Sequence, residues 1–263
     1  MANTMKIDQA QTAIDIGCGS GEFSLWCLKS LPNLKTLYST DISEDMIALA
    51  KEKANAQLPP NIKTNHVLEV ADAMDLKCVK DGEVDVAIIN LVLHHVADSS
   101  KGLQEIGRVL KKGGYVGIGE LIKKGEPDSV FGILKNVMHE IGLGDKFKGP
   151  HHHHHKEGDD SKKETHNFHV HHDLNEENMA KMLEENGFEM EYCWEDRIVP
   201  PILTEEDFVE GILYGHLSKK MLEELNEDDR KLVDEKAKEK FRQFKKEHKP
   251  LSMYYLAVIA RKK

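Results

Sequence analysis

Two rhythms of apolar and polar positions alternate along the first 120 residues. Short apolar runs at 12–16, 34–40, 62–68, 84–93 and 115–122, bounded by Gly, Pro, Asn or Asp, have the length and composition of buried strands. Between them apolar residues recur at helical spacing. Phe23, Trp26, Cys27 and Leu28 do so after the first run, Met46, Ile47, Leu49 and Ala50 after the second, and Leu103, Ile106, Val109 and Leu110 after the fourth. Ser43, and Asp98 or Ser99, stand where helix N-caps belong, and Gly113-Gly114 reads as the stop of the last of these helices. Strands alternating with helices predict an α/β fold with a doubly wound, mostly parallel sheet and helices on both faces. Such a sheet takes its ligand beyond the carboxyl ends of its strands.

The second half is less regular. Residues 129–141 read as a helix with Val130, Ile133, Leu134 and Val137 on one side. Residues 148–166 are polar and carry five consecutive histidines at 151–155, the composition of a mobile loop. Asp173 and Glu176 have capping-box spacing for a helix through Leu174, Met179, Met182 and Leu183, ended by Gly187. A strand follows at 188–198 and is ended by Pro200-Pro201. Thr204 caps an interrupted helical stretch to about residue 248, whose charged last part, 228–249, is expected to face solvent. The run at 251–260 is a final strand, which brings the sheet to seven. The plan is a ligand-binding core at 1–122, a lid helix and His-rich loop at 123–172, a core helix and strand at 173–203, a helical insertion acting as a lid at 204–249, and a last core strand at 250–263.

The chain has 263 residues, 40% of them hydrophobic, enough for a sizeable core. Its net charge of -10, with bases dispersed among acids, gives no support to a nucleic-acid partner. Cys18, Cys27, Cys78 and Cys193 are far apart and show no CxxC, so they read as reduced thiols. No apolar run is long enough for a membrane span and the N-terminus lacks a signal pattern, so the expectation is a cytoplasmic protein without membrane insertion. Its oligomeric state is left between monomer and homodimer.

Four groups of residues fall at predicted strand ends. Gly17, Gly19 and Gly21 follow the first strand at spacing two, so the backbone can turn sharply and a ligand can approach it. A generic nucleotide turn is the bland alternative. A dinucleotide site wants its third glycine one place later, where this chain has Glu22, a carboxylate unfavourable beside a pyrophosphate. The spacing therefore disfavours NAD and favours a ligand without phosphates. Asp41 ends the second strand, where it can accept from ribose hydroxyls or simply cap a helix. Asp72-Ala73 follows the third strand and fits either an adenine-amine contact or a loop acid. Asn90 to His95 closes the fourth.

Together these residues resemble the class I S-adenosylmethionine-dependent methyltransferases, in the small-molecule branch that includes the ubiquinone and menaquinone methyltransferases. The resemblance rests on Ile14 to Gly21, Thr40 to Met46, Ala71-Asp72-Ala73, Asp85 to Asn90 with Leu93 to Val96, and Leu103 to Gly114. It implies a Rossmann-like core, S-adenosylmethionine as cofactor, S-adenosylhomocysteine as product and a small-molecule acceptor. It further implies that Gly17, Gly19 and Gly21, with Cys18 among them, receive the cofactor's amino-acid end, which Asp15 orients directly or through water. Asp41 would take the ribose hydroxyls, Ile42 and Met46 would pack on adenine, Asp72 and Ala73 would hold its amine, and Asn90 and Leu91 would lie beside the methionine part. The chain departs from the family by having about eleven residues before the first strand and an insertion of about 45 residues at 204–248.

Methyl transfer from a sulfonium is an in-line displacement, so the protein has mainly to align the acceptor and exclude water. His94 and His95 stand at the strand end facing the expected methyl group and are the candidate general bases, His95 narrowly ahead of His94, with structural packing as the alternative. His151 to His155, His166, His169, His171 and His172 raise the question of a metal, but their polar setting reads as a tract without a metal site. Two rival functions are a non-catalytic protein binding S-adenosylmethionine or a metal, and a protein methyltransferase. The acceptor, and whether O, N or C receives the methyl group, is not legible.

Overall fold

The computed structural model describes residues 5, 7–122, 130–144, 174–199, 204–209, 222, 225–249 and 251–263. Among them β1 (Thr12–Ile16), β2 (Thr36–Asp41), β3 (Asn65–Val70), β4 (Val84–Asn90), β5 (Leu110–Ile122), β6 (Phe188–Ile198) and β7 (Met253–Lys262) form one seven-stranded sheet in the order β3-β2-β1-β4-β5-β7-β6. The pairs β1–β2, β1–β4, β2–β3 and β4–β5 are parallel. The Lys263 N–H donates to Gly187 O, so β7 ends where β6 begins and that pair runs antiparallel. The expected seven-stranded, mostly parallel sheet is the one observed.

The chain leaves β1 in one direction for β2 and β3, then returns to the other side of β1 for β4 and β5. The connecting helices are α1 (Glu22–Ser30), α2 (Glu44–Gln57) and α3 (Ser99–Val109). Right-handed crossovers in opposite directions put α1 and α2 on one face and α3 on the other. The reversal beside β1 opens the crevice in which such folds bind ligands. Helix starts follow local chemistry: the Ser43 side chain accepts from the Met46 N–H and the Asp98 side chain from the Lys101 N–H.

Two compact units emerge among the described residues. The first comprises those up to residue 121 together with 174–195 and 256–263. On its α1 face Ala13, Cys27, Leu28, Leu37, Val86 and Ile88 pack into one apolar cluster. Arg108 ties α3 to the segment before β4, donating to the carbonyls of Leu76 and Val79 and to the carboxylates of Glu105 and Asp81. The second comprises residues within 122–144 and 196–255. It contains α4 (Val130–Glu140), α6 (Glu205–Phe208) and α7 (Glu227–Lys246), and α5 (Glu176–Glu185) lies in the first unit. Ile133, Leu134, Val137 and Met138 of α4 cluster there with Phe208, Val233, Ala237 and Phe241.

Several local expectations are corrected. Gly113-Gly114 does not stop a helix: α3 ends at Val109, and both glycines lie in β5, where the register with β4 shifts between Val84 and Val86. Gly113 takes φ +74, and a Cβ on Gly114 would lie 2.9 Å from the Asp85 and Lys111 carbonyl oxygens. Trp26 is exposed and stacks on Phe23, and α1 buries Ser24, Leu25, Cys27 and Leu28 instead. The charged α7 is not wholly solvent-facing, because Val233, Ala237 and Phe241 form a buried stripe along it at helical spacing. The cap of α5 is Asn175, which accepts from the Asn178 N–H, while Asp173 lies outside the described residues. The His-rich loop at 148–166 and His166, His169, His171 and His172 also lie outside them.

Candidate functional site

The carboxyl ends of β1, β2 and β4 meet at the crevice. Gly17, Gly19 and Gly21 take φ of +67, +53 and +84, the left-handed region that side chains rarely adopt. The turn is tied to β2 by Cys18 N–H donating to Thr40 O at 2.9 Å. Its walls are unequal. A Cβ on Gly17 would lie 2.3 Å from Val92 Cγ2, and one on Gly21 would lie 3.1 Å from Ala50 Cβ. At Gly19 a Cβ would meet nothing within 4 Å, so this part of the turn faces open space that a ligand can enter. Cys18 lies in the same turn, its thiol pushed up to about 12 chiefly by burial, with the negative charges of Asp15 and Asp41 adding to the effect.

Asp41 has a building role. Its Oδ2 accepts from the Gly19 N–H and its Oδ1 from the Ser43 N–H, each at 2.9 Å, so one carboxylate joins the glycine turn to the start of α2. Each oxygen keeps a second lone pair for a ligand hydroxyl. Beside it Ile42 is 72% and Met46 38% exposed, apolar surface left uncovered at the crevice. Asp72 Oδ1 accepts from the Met74 N–H in a tight turn, and Ala73 is buried next to it. The acid after the third glycine, Glu22, has a partner of its own. It pairs with Lys53, which also donates to Ser20 Oγ, and this partner draws its carboxyl below the usual range.

Asp15 sits beneath the turn, only 4% exposed. Its Oδ2 lies 2.5 Å from Ser24 Oγ, which lies 2.8 Å from Ser39 Oγ, in turn 2.9 Å from His66 Nε2. Burial above all pushes the Asp15 carboxyl up to about 6, and the charge of Asp41 adds to the rise. Burial pushes His66 down to about 4.

The end of β4 carries the other chemistry. Asn90 is exposed there, and Leu91 takes φ +58, a strained conformation for a leucine, while its N–H donates to Gly119 O. A short turn over Leu93–His95 follows. His94 Nδ1 lies 2.5 Å from Oε2 of Glu120, whose Oε1 accepts from the Leu93 N–H at 2.8 Å. Glu120 is wholly buried, near the end of β5. The His95 ring stacks obliquely on that of His94, with centroids 3.9 Å apart, and is exposed. His94, the second choice from sequence, thus has a carboxylate on one nitrogen. Glu120 was not among the residues singled out from sequence, although an acid near the end of an apolar strand is the signal that marked Asp41. Ser24, Ser39 and His66 gave no such signal.

The crevice suits S-adenosylmethionine on three observations: the open side at Gly19, the spare lone pairs of Asp41 and the exposed apolar pair Ile42 and Met46. Among the described residues no cluster of three or more His, Cys, Asp or Glu has metal-site geometry, and no helix is long and apolar enough to cross a membrane.

Known proteins place this arrangement. A family profile described as a methyltransferase domain matches residues 14–118. The demethylmenaquinone methyltransferase of Staphylococcus aureus is 32% identical over 112 residues, which is 43% of this chain and 44% of that protein. The 2-phytyl-1,4-naphtoquinone methyltransferase of Trichormus variabilis is 34% identical over 101 residues, 38% of this chain and 42% of that one. The chain thus spans less than half the length of these two curated relatives. Among solved structures, a SAM-dependent methyltransferase from Methanosarcina mazei aligns over 97% of this chain and 93% of its own with a TM-score of 0.55 at 19% identity, a likeness of fold. The glycine turn, the strand-end acids and the sheet order agree with the methyltransferase domain that residues 14–118 match.

Proposed function

We propose that the chain transfers a methyl group from S-adenosylmethionine to a small molecule bearing an acidic hydroxyl or an activated ring carbon, with His94 as general base. The observation that carries this reading is the His94–Glu120 pair at the end of β4, in the crevice beside the glycine turn. The cofactor supplies an already activated methyl group, so the protein's tasks are alignment, exclusion of water and removal of one proton. Glu120 accepts the Nδ1 proton of His94, which fixes the ring and leaves the Nε2 lone pair to take a proton from the acceptor. The imidazolium that results is stabilised by the buried carboxylate beside it.

Asp15, Gly17, Cys18, Gly19, Gly21, Asp41, Ile42, Met46, Asp72, Ala73, Asn90 and Leu91 are the proposed cofactor residues. The two named relatives act on quinone-type substrates by their names, which makes a reduced naphthoquinone the first acceptor to try. Calorimetry with S-adenosylmethionine and S-adenosylhomocysteine tests the cofactor, and turnover across a panel of quinols, phenols and amines tests the reaction. Absence of binding by either cofactor form rejects the proposal. Binding without turnover on any acceptor, or a methylated protein as the product, favours the non-catalytic or protein-modifying reading instead.

A further inference from the structure

Beyond Asp15, the hydrogen-bonded chain Asp15–Ser24–Ser39–His66 has no part in methyl transfer as described above. It runs from beneath the glycine turn, through α1 and β2, to β3. Both hydroxyls are wholly buried and Asp15 nearly so, while His66 is half-buried and gives the chain an end nearer to solvent. Register explains the assembly. Asp15 is the partner of Ser39 across β1–β2, and His66 pairs with Leu37, two residues from Ser39 on the same face. The other titratable groups facing Asp15 are Asp41 from β2, Cys18 from the turn and Cys27 from α1. Burial pushes both thiols up, so they stay neutral near pH 6.

We propose that this chain is a proton wire, through which binding of the cationic cofactor above Asp15 expels a proton at His66. The proposal rests on the cofactor reading above. With Asp15 protonated, its O–H donates to Ser24, Ser24 donates to Ser39, and Ser39 donates to the lone pair on His66 Nε2. The remaining ring proton is then on Nδ1. When a cation arrives, each proton moves one place along: Asp15 to Ser24, Ser24 to Ser39, and Ser39 to Nε2. His66 releases its Nδ1 proton to water. Every hydroxyl ends with one proton, Asp15 is a carboxylate, and His66 is the neutral Nε2–H tautomer donating back to Ser39. One proton leaves the protein and every hydrogen bond is kept with its direction reversed. An isolated buried acid could not exchange its proton so directly.

The tautomer of His66 is the signature. In protein labelled with ¹⁵N-histidine, the His66 signal is assigned by its loss in His66→Asn and followed by two-bond ¹H–¹⁵N correlation. Between pH 5 and pH 7.5 the ring stays neutral but changes from Nδ1–H to Nε2–H, with its midpoint near pH 6 where Asp15 titrates. Saturating S-adenosylmethionine at pH 5.5 produces the same change and, in calorimetry across buffers of different ionisation enthalpy, a proton release that vanishes at pH 8. Ser39→Ala abolishes the pH-dependent change. A single His66 tautomer across the pH range overturns the wire, as does a change that survives in Ser39→Ala. Binding at pH 5.5 with neither a tautomer change nor proton release overturns the coupling while leaving the cofactor reading intact. No binding at pH 8 defeats the cofactor reading, and the coupling with it.

Discussion

Gly17 and Gly19 look alike in the sequence and should respond unequally to a methyl group. Gly17→Ala meets two costs. Its φ of +67 puts a side chain in the left-handed region, worth about 1–2 kcal/mol for a non-glycine residue. Its Cβ would also lie 2.3 Å from Val92 Cγ2 and 2.8 Å from Cγ1, an overlap that requires Val92 or the turn to move, at a further ~1–3 kcal/mol. The sum, about 2–5 kcal/mol, is a large part of the ~5–15 kcal/mol that holds a domain together. Gly19→Ala meets only the conformational cost at φ +53, because a Cβ there touches nothing. Its methyl group instead occupies the open side of the turn. Urea unfolding should show a drop of about 1–2 kcal/mol for Gly19→Ala and a larger one for Gly17→Ala. Calorimetry on the folded Gly19→Ala protein should show S-adenosylmethionine bound at least ~10-fold more weakly, since about 1.4 kcal/mol of steric displacement suffices for that. Wild-type cofactor affinity in folded Gly19→Ala would refute the placement of the ligand on the turn. Equal stability loss in the two variants would refute the assigned role of Val92.

Three further outcomes are expected. Glu120→Gln and His94→Ala should each lower kcat by ~10²–10⁴ while leaving S-adenosylmethionine affinity within a few-fold, and an unchanged kcat in either removes the pair from the mechanism. The folded-state pKa of Asp15 lies above its ordinary value, so the native protein holds that proton where the unfolded chain has lost it, and Asp15 costs stability as pH rises through about 4 to 6. Asp15→Asn should therefore gain on wild type by about 3 kcal/mol between pH 4 and pH 7 and then level off, and a difference independent of pH in chemical unfolding would contradict this. Arg108→Ala strands the carbonyls of Leu76 and Val79 and frees the Glu105 and Asp81 carboxylates, so it should destabilise the first unit by about 2–4 kcal/mol, read by urea unfolding, without changing cofactor affinity of the folded protein.

What was legible in the sequence is what a local rule governs. Strand runs such as 12–16, and 84–93 as far as Asn90, follow from burial on both faces, and the caps Ser43, Asp98 and Thr204 from side-chain chemistry next to a free N–H. The strand-end acids could be found because parallel strands gather their carboxyl ends. The misreadings have one kind of cause. Gly113-Gly114 has helix-stop chemistry, but the register shift between β4 and β5 claims it, and nothing local encodes that shift. Nothing next to Glu22 encodes its partner Lys53, a whole element away. Ser24, Ser39 and His66 become a chain only through the register of three parallel strands and one helix.

Asp41 shows why site and scaffold must be separated by experiment. Asp41→Ala leaves the Gly19 and Ser43 N–H groups without their charged partner, which should cost about 2–4 kcal/mol of stability before any ligand is present. Loss of binding in that variant is therefore ambiguous, because a loosened turn weakens every ligand. The ligand resolves it. If Asp41 accepts the ribose hydroxyls, the wild type should bind a 2′,3′-dideoxy analogue of S-adenosylhomocysteine about 5–150-fold more weakly than the parent, the range for losing about 1–3 kcal/mol of hydrogen bonding. Folded Asp41→Ala should bind parent and analogue alike, because the groups that discriminate them are gone. The coupling between the two changes measures the contact itself, free of the damage each does alone. A dideoxy penalty that persists undiminished in Asp41→Ala would assign Asp41 to the turn and send the search for the ribose partner elsewhere in the crevice.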